Sequence, residues 1–155
     1  MSNPTSPRRQ LLLASAAAGA AGLVSTGAQA QTRGQATGAV RVVYHVTQGL
    51  PQASRCLGNV RNHLAADPTA QIVVVGNGAG IDFMLNGAKD GNGAEYAGAI
   101  GDLASHGVSF RVCNNTLVNR KIGKDQVILD ASVVPAGVVE VTNLQFRDGY
   151  AYICP

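Results

Sequence analysis

The chain contains no Trp, and aromatic residues make up only 5% of its 155 positions. Proteins that hold single-stranded nucleic acid stack its bases on aromatic side chains, so that class of binder lacks its platform here. Charged residues are also few, at 14%, while 46% of residues are hydrophobic. A chain so poor in charge and rich in apolar groups is not intrinsically disordered. Three cysteines are present without any Cys-x-x-Cys pair, which disfavours a thioredoxin-like dithiol. His45, His63 and His106 are scattered, and no spacing among histidines and cysteines suits zinc, so no metal or cofactor is implied. A nucleophilic serine elbow is missing as well. Glycine is abundant, at 19 residues, and fits the tight turns of a compact α/β domain.

The first thirty residues read as an export signal. Pro7-Arg8-Arg9-Gln10-Leu11-Leu12 opens an Ala/Gly/Leu run that reaches Val24, and Ala28-Gln29-Ala30 forms a small-x-small cleavage site. The paired arginines followed by leucines resemble a twin-arginine signal, a route that carries folded proteins. A general secretory signal or a retained anchor are the alternatives, although Leu11 to Val24 is short for a membrane-crossing helix. Loss of Arg8 and Arg9 lowers the formal charge from +3 to +1. The basic balance thus belongs mostly to the leader, and nothing in the remainder calls for nucleic acid. The expected organisation is a signal over 1–30, a mobile lead over 31–38 and one domain over 39–155, periplasmic and without stable membrane insertion once the signal is cleaved near Ala30.

Within that domain, strands alternate with helices. Strands are predicted at Ala39–Val46, Gln71–Gly76, Val108–Val112 leading into Cys113, a minimal Val133-Val134, and Tyr150–Cys154. Helices are predicted over Gln52–Ala66, Ile81–Asn86, Ala94–His106, from Thr116 to about Arg120, and Val138–Arg147, the last opened by Pro135-Ala136-Gly137. The run Ile72-Val73-Val74-Val75 suits a strand buried on both faces. Such alternation implies right-handed crossovers and a parallel sheet covered on both sides. The Gly76-Asn77-Gly78-Ala79-Gly80 segment is Gly-x-Gly-x-Gly, not a dinucleotide fingerprint, and reads as a tight turn.

Ligands gather at the carboxyl ends of parallel strands, and Cys113 ends one there. Asn114 or Asn115 could cap the helix that follows, while Arg111, Arg120 and Lys121 bring positive charge nearby in sequence. Outward-pointing N–H groups and cations favour thiolate over thiol, against the alternative of a small buried hydrophobe. Cys56 lies on the inward stripe of its helix. Cys154, beside the terminal Pro155, could pair with Cys56, relay with Cys113 or bridge subunits. By topology all three sulfurs belong to the carboxyl side of the sheet. In an oxidising compartment, three cysteines suggest one pair and one free thiol. His45 faces away from Tyr44 and is expected to pack near the sheet.

Four segments together resemble the DsrE-like family: Val43-Tyr44-His45-Val46, Cys113-Asn114-Asn115-Thr116-Leu117, Val134-Pro135-Ala136-Gly137-Val138-Val139-Glu140 and Gly149-Tyr150-Ala151-Tyr152-Ile153. The resemblance implies a three-layer α/β/α sandwich with a five-stranded, mainly parallel sheet, and homotrimers or homohexamers. It also implies persulfide chemistry in some members, with Cys113 the sulfur-bearing position and Asn115 and Thr116 its surroundings. Cys154 stands where the family pattern has a basic residue. The expected function is an exported sulfur carrier whose Cys113 accepts and hands on sulfane sulfur, with donor and acceptor unspecified. The alternatives are a noncatalytic oligomeric binding module of the same fold, and a disulfide-active protein using Cys113 with Cys154.

Overall fold

The computed structural model describes residues 38–155. The export signal and all of the expected lead except its last residue lie outside the described residues. Five strands form one sheet: β1 (Arg41–Val46), β2 (Gln71–Gly76), β3 (Ser109–Cys113), β4 (Ala131–Val134) and β5 (Ala151–Ile153). Their order is β4-β3-β2-β1-β5, and every pairing is parallel. The helices are α1 (Leu50–Ala66), α2 (Tyr96–Ser105), α3 (Asn114–Asn119) and α4 (Gly137–Phe146), with 3-10 helices at Gly78–Met84 and Lys124–Gln126. Among the described residues no helix is long and apolar enough to cross a membrane.

The strand order explains the placement of the helices. From β1 to β4 the chain steps in one direction across the sheet, so right-handed crossovers put α1, α2 and α3 on the same face. The β4-to-β5 connection runs back the other way, and the same handedness then puts α4 on the opposite face. Two cores follow from this division. The larger joins Val42, Tyr44, Ile72, Val74, Phe110 and Val112 of the sheet to Ala53, Cys56, Leu57 and Val60 of α1 and to Ile100 and Leu103 of α2. The smaller is Val43, Val73 and Val75 against Val141 and Leu144 of α4. Each large side chain so buried contributes about 1.5–3 kcal/mol. A helix is about 10 Å wide and strands are about 4.8 Å apart, so α4 alone spans roughly half of its face. It lies over β1, β2 and β3.

Several element boundaries differ from the sequence expectation for identifiable reasons. Helix α1 starts at Leu50 rather than Gln52, because Pro51 is already shaped for a first turn and Gly49 takes φ 82° before it. The Gly78–Met84 segment is a 3-10 helix that begins inside the predicted loop. Strand β5 is shorter than predicted and leaves Cys154 beyond its end. The glycines after β2 serve close packing. A side chain at Gly80 would overlap the carbonyl of Val46, and one at Gly76 would meet the carbonyl of Gly80 and the Met84 methyl. The turn is therefore wedged against the ends of β1 and β2, which is why it needs bare backbone.

Gly80→Ala should accordingly destabilise the domain by about 3 kcal/mol or more, since backbone must move to admit the methyl. Gly98, which has open space around it, should accept Ala with at most a slight gain in stability. Paired denaturant melts of the two variants check the contrast.

Candidate functional site

Direction reverses at β4, so the helices after β3 and β4 leave toward opposite faces. Between the ends of two such strands a crevice opens, the position where doubly wound sheets bind ligands. Cys113 lies at that position. It is the last residue of β3, in register with Val134 at the end of β4. It shares its face with Arg111, on the α4 side of the sheet. The chain then turns into α3, so Cys113 itself occupies the N-cap position, and Asn114 and Asn115 are the first helical residues. This corrects the expectation that an asparagine caps α3, whose N-terminus has no side-chain cap.

Gly137 opens α4 directly above the sulfur-bearing residue. A Cβ at Gly137 would lie 3.1 Å from Cys113 Cβ and 3.2 Å from Asn77 Cβ, so glycine is what lets the helix start so close. The result is a cradle of donors. Burial is the largest single influence on the Cys113 thiol and acts to raise its pKa. Hydrogen bonds from the Gly137 N–H, the Thr116 hydroxyl and the Thr116 N–H act the other way, with a smaller share from the Asn115 N–H, which the Pro135 carbonyl also accepts at 3.3 Å, and together they hold it below its ordinary value of 9.0. Thr116 is aimed by a second contact. Its Oγ1 accepts the Gly78 N–H at 3.0 Å, leaving its only proton for the sulfur. The expected cations play no part in this. Arg111 pairs with Glu140 of α4, and Arg120 with Asp82 at 2.5 Å.

The three cysteines separate. All are free thiols. Cys56 is wholly buried in the core on the α1 face, and burial pushes its pKa up to about 12. Cys113 is on the other face and is 5% exposed. Cys56 thus keeps its expected place near the start of α1 and in the core, but on the opposite face, so the sheet stands between it and Cys113. Cys154 is exposed, and its Sγ accepts from Gln52 Nε2 at 3.5 Å.

Three residues of this edge were not singled out from sequence as parts of a site. On the α4 face, His45 of β1 places Nε2 3.0 Å from Asn77 Oδ1 and Nδ1 3.2 Å from the Tyr152 hydroxyl of β5. Desolvation lowers the His45 pKa, with the Asn77 hydrogen bond acting against it. Burial, then the neighbouring Cys154, raise that of Tyr152. Cys113, Asn77, His45 and Tyr152 therefore form a polar row, one residue from each of four neighbouring strands or their ends. Strand alternation and parallel register are the signal that could have found it, since Gly76 pairs with Val112 and so brings Asn77 level with Cys113. Among the described residues no three His, Cys, Asp or Glu side chains gather as a metal site. A cavity of about 190 Å³ opens beside the edge, lined by Asn114, Lys124, Val133, Val134 and Pro135. A larger hollow of about 380 Å³ lies at the opposite, amino end of β3 and β4, away from every thiol, and the chemistry rather than the volume locates the site.

Comparison with known proteins agrees with this fold. The DsrE/DsrF-like family model matches residues 40–155. The chain belongs to that family. A solved structure of a protein of unknown function from Methanobacterium thermoautotrophicum is 30% identical, covers 75% of this chain and 99% of its own, and superposes with a TM-score of 0.66. The ychN protein from E. coli is 14% identical, covers 76% of this chain and 97% of its own, and superposes with a TM-score of 0.58, a likeness of fold alone. No curated protein matches the sequence. The family's α/β fold, with its five-stranded sheet, is thus the one observed, and its strands here are all parallel.

The cradle makes a measurable prediction. In the native protein, alkylation of Cys113 by a neutral reagent should reach half its maximal rate at a pH below 9.0, and this midpoint should rise on unfolding in urea. Cys56 should stay unreactive until the protein unfolds. Thr116→Val removes a hydroxyl bond to an anion, worth about 1.5–3 kcal/mol, so alkylation at neutral pH should slow about tenfold or more, with Thr116→Ser restoring it. The depressed thiol also stabilises the fold at pH above its unfolded value, a contribution lost as pH falls through the native midpoint. An unshifted native midpoint would dispose of the cradle's electrostatic role.

Proposed function

We propose that the protein is an exported sulfur carrier in which Cys113 is the loading site. The donor cradle around that sulfur carries this reading, because an arrangement that favours thiolate also favours nucleophilic exchange at neutral pH. In the step, the Cys113 thiolate attacks the outer sulfur of a donor persulfide, R–S–S⁻. A new S–S bond forms, the donor's S–S bond breaks, and R–S⁻ leaves with the electron pair. Cys113 then holds S–S⁻, and the reverse step on an acceptor thiolate passes the sulfur on. No oxidant or reductant is consumed. Family membership is consistent with this chemistry. Cys113 is only 5% exposed, which favours a small donor or a slender thiol-bearing arm over a broad docking face.

Incubation with a sulfane donor should raise the intact mass by one sulfur atom in the wild type and in Cys154→Ser, and not in Cys113→Ser. Absence of any gain on Cys113 would end the carrier reading. The low exposure of Cys113 favours one alternative, a noncatalytic oligomeric binding module in which the cysteine only packs. That alternative expects a ligand-dependent rise in melting temperature that survives Cys113→Ser.

The same reading includes self-assembly and export. Val138, Val139 and Phe146 are exposed on α4, the single helix over its face among the described residues, and Tyr152 on the same face of the sheet is 44% exposed. Such a surface suits a subunit contact. Sedimentation of the processed protein should give a trimer or hexamer. Changing Arg8 and Arg9 to Lys should hold the precursor inside the cell if the signal is of the twin-arginine type. Export unaffected by that change would assign it to the general secretory route.

A further inference from the structure

Hydrogen-bond direction along the polar row can be worked out atom by atom. Asn77 Oδ1 is an amide oxygen and only accepts, so the His45 Nε2 3.0 Å away carries the proton. A neutral imidazole then has a bare Nδ1, which accepts from the Tyr152 hydroxyl at 3.2 Å. Both ring nitrogens are thus committed, and the Asn77 carboxamide is held by its oxygen. Asn77 is half-buried, and its Nδ2, which makes no hydrogen bond among the described residues, is open to solvent. Asn77 itself is one strand over from Cys113, at the same level of the sheet and on the same face, and its Cβ packs against the same first residue of α4. It is not among the groups that hydrogen-bond the resting sulfur, which are Gly137, Thr116 and Asn115. A second sulfur bonded to the first would extend the side chain by about 2 Å, and that sulfur would need donors of its own.

We propose that Asn77 supplies the donor for the outer, anionic sulfur of a Cys113 persulfide, and that His45 and Tyr152 are positioning residues that orient its amide. The assignment rests on the carrier reading and deepens it. The cradle at the N-terminus of α4 holds the inner sulfur, and the Asn77 amide holds the cargo. Loaded and empty forms are distinguished by one side chain that engages the loaded form alone.

The test equilibrates the full processed protein with a mixture of glutathione persulfide and glutathione, and reads the loaded fraction by intact mass. The pH profile of iodoacetamide alkylation of the unloaded thiol is measured alongside. Asn77→Ala should shift the equilibrium about tenfold toward glutathione persulfide and unloaded protein, as loss of a hydrogen bond to an anion predicts, while leaving the pH profile of the unloaded thiol unchanged; the melting temperature should fall slightly, because the His45 ring loses a partner. Asn77→Asp, which sets a carboxylate beside the cargo, should shift it further. Tyr152→Phe and His45→Leu should produce smaller shifts in the same direction, and His45→Gln, which keeps a side-chain donor, should recover much of the loss. If the wild type loads and Asn77→Ala loads equally, the assignment is wrong and the carrier reading stands. If Asn77→Ala moves the unloaded thiol's profile as much as it moves loading, Asn77 acts on the resting sulfur and the assignment to the outer sulfur fails. A wild type that takes no sulfur removes both.

Discussion

The approach of Gly137 to the ends of β2 and β3 is the contact on which the rest of the site depends. It brings a backbone N–H to the Cys113 sulfur and sets the first turn of α4 against Asn77. It is possible because the residue has no side chain, and because the chain reverses direction after β4. Had β5 been added beside β4, the same right-handed crossover would have put the last helix on the crowded face, and Cys113 would have lost its cover and one of its donors. Handedness, a rule about strand twist, thus reaches as far as the ionisation of one thiol.

The two faces of the sheet do different work. The face under α1, α2 and α3 holds the larger core, and Cys56 sits within it as a small apolar side chain. The face under α4 is apolar only in the middle, through Val43, Val73 and Val75. Toward the carboxyl edge it turns polar, with Cys113, Asn77, His45 and Tyr152 in succession. Burying His45 in this row costs solvation, and the two hydrogen bonds at its ring offset that cost. A neutral, doubly bonded imidazole is a rigid part, suited to holding a neighbour in place.

How much of this could be read beforehand varied with the range of the interaction. Strand and helix identities depend on local periodicity, and apolar runs such as Ile72–Val75 marked them well. Cys113 was visible because a strand-ending cysteine before a helical turn is a local pattern. The donors around it were only half visible. Thr116 follows in the sequence, whereas Gly137 arrives from 24 positions away by a crossover whose landing point no local pattern fixes. Arg111 and Arg120 misled for the same reason. Adjacent in sequence to the thiol, each is neutralised by an acid distant in sequence. Cys56 misled because its position along the sheet was legible and the face it occupied was not. His45, Asn77 and Tyr152 come from three different elements and meet only once the register is set.

The Arg111–Glu140 pair has a mechanical side. Arg111 stands two residues before Cys113 on the strand beneath, and Glu140 stands three residues into the helix above. The pair works as a rivet close to the edge, and the Val141 and Leu144 packing clamps the helix beyond it. Any uncovering of the sulfur therefore has a short lever arm, the stretch from Pro135 to Gly137 that overhangs the rivet. The cover of this site is thus a stretch of only three residues, with the body of the helix fixed behind it by the ion pair and the apolar packing.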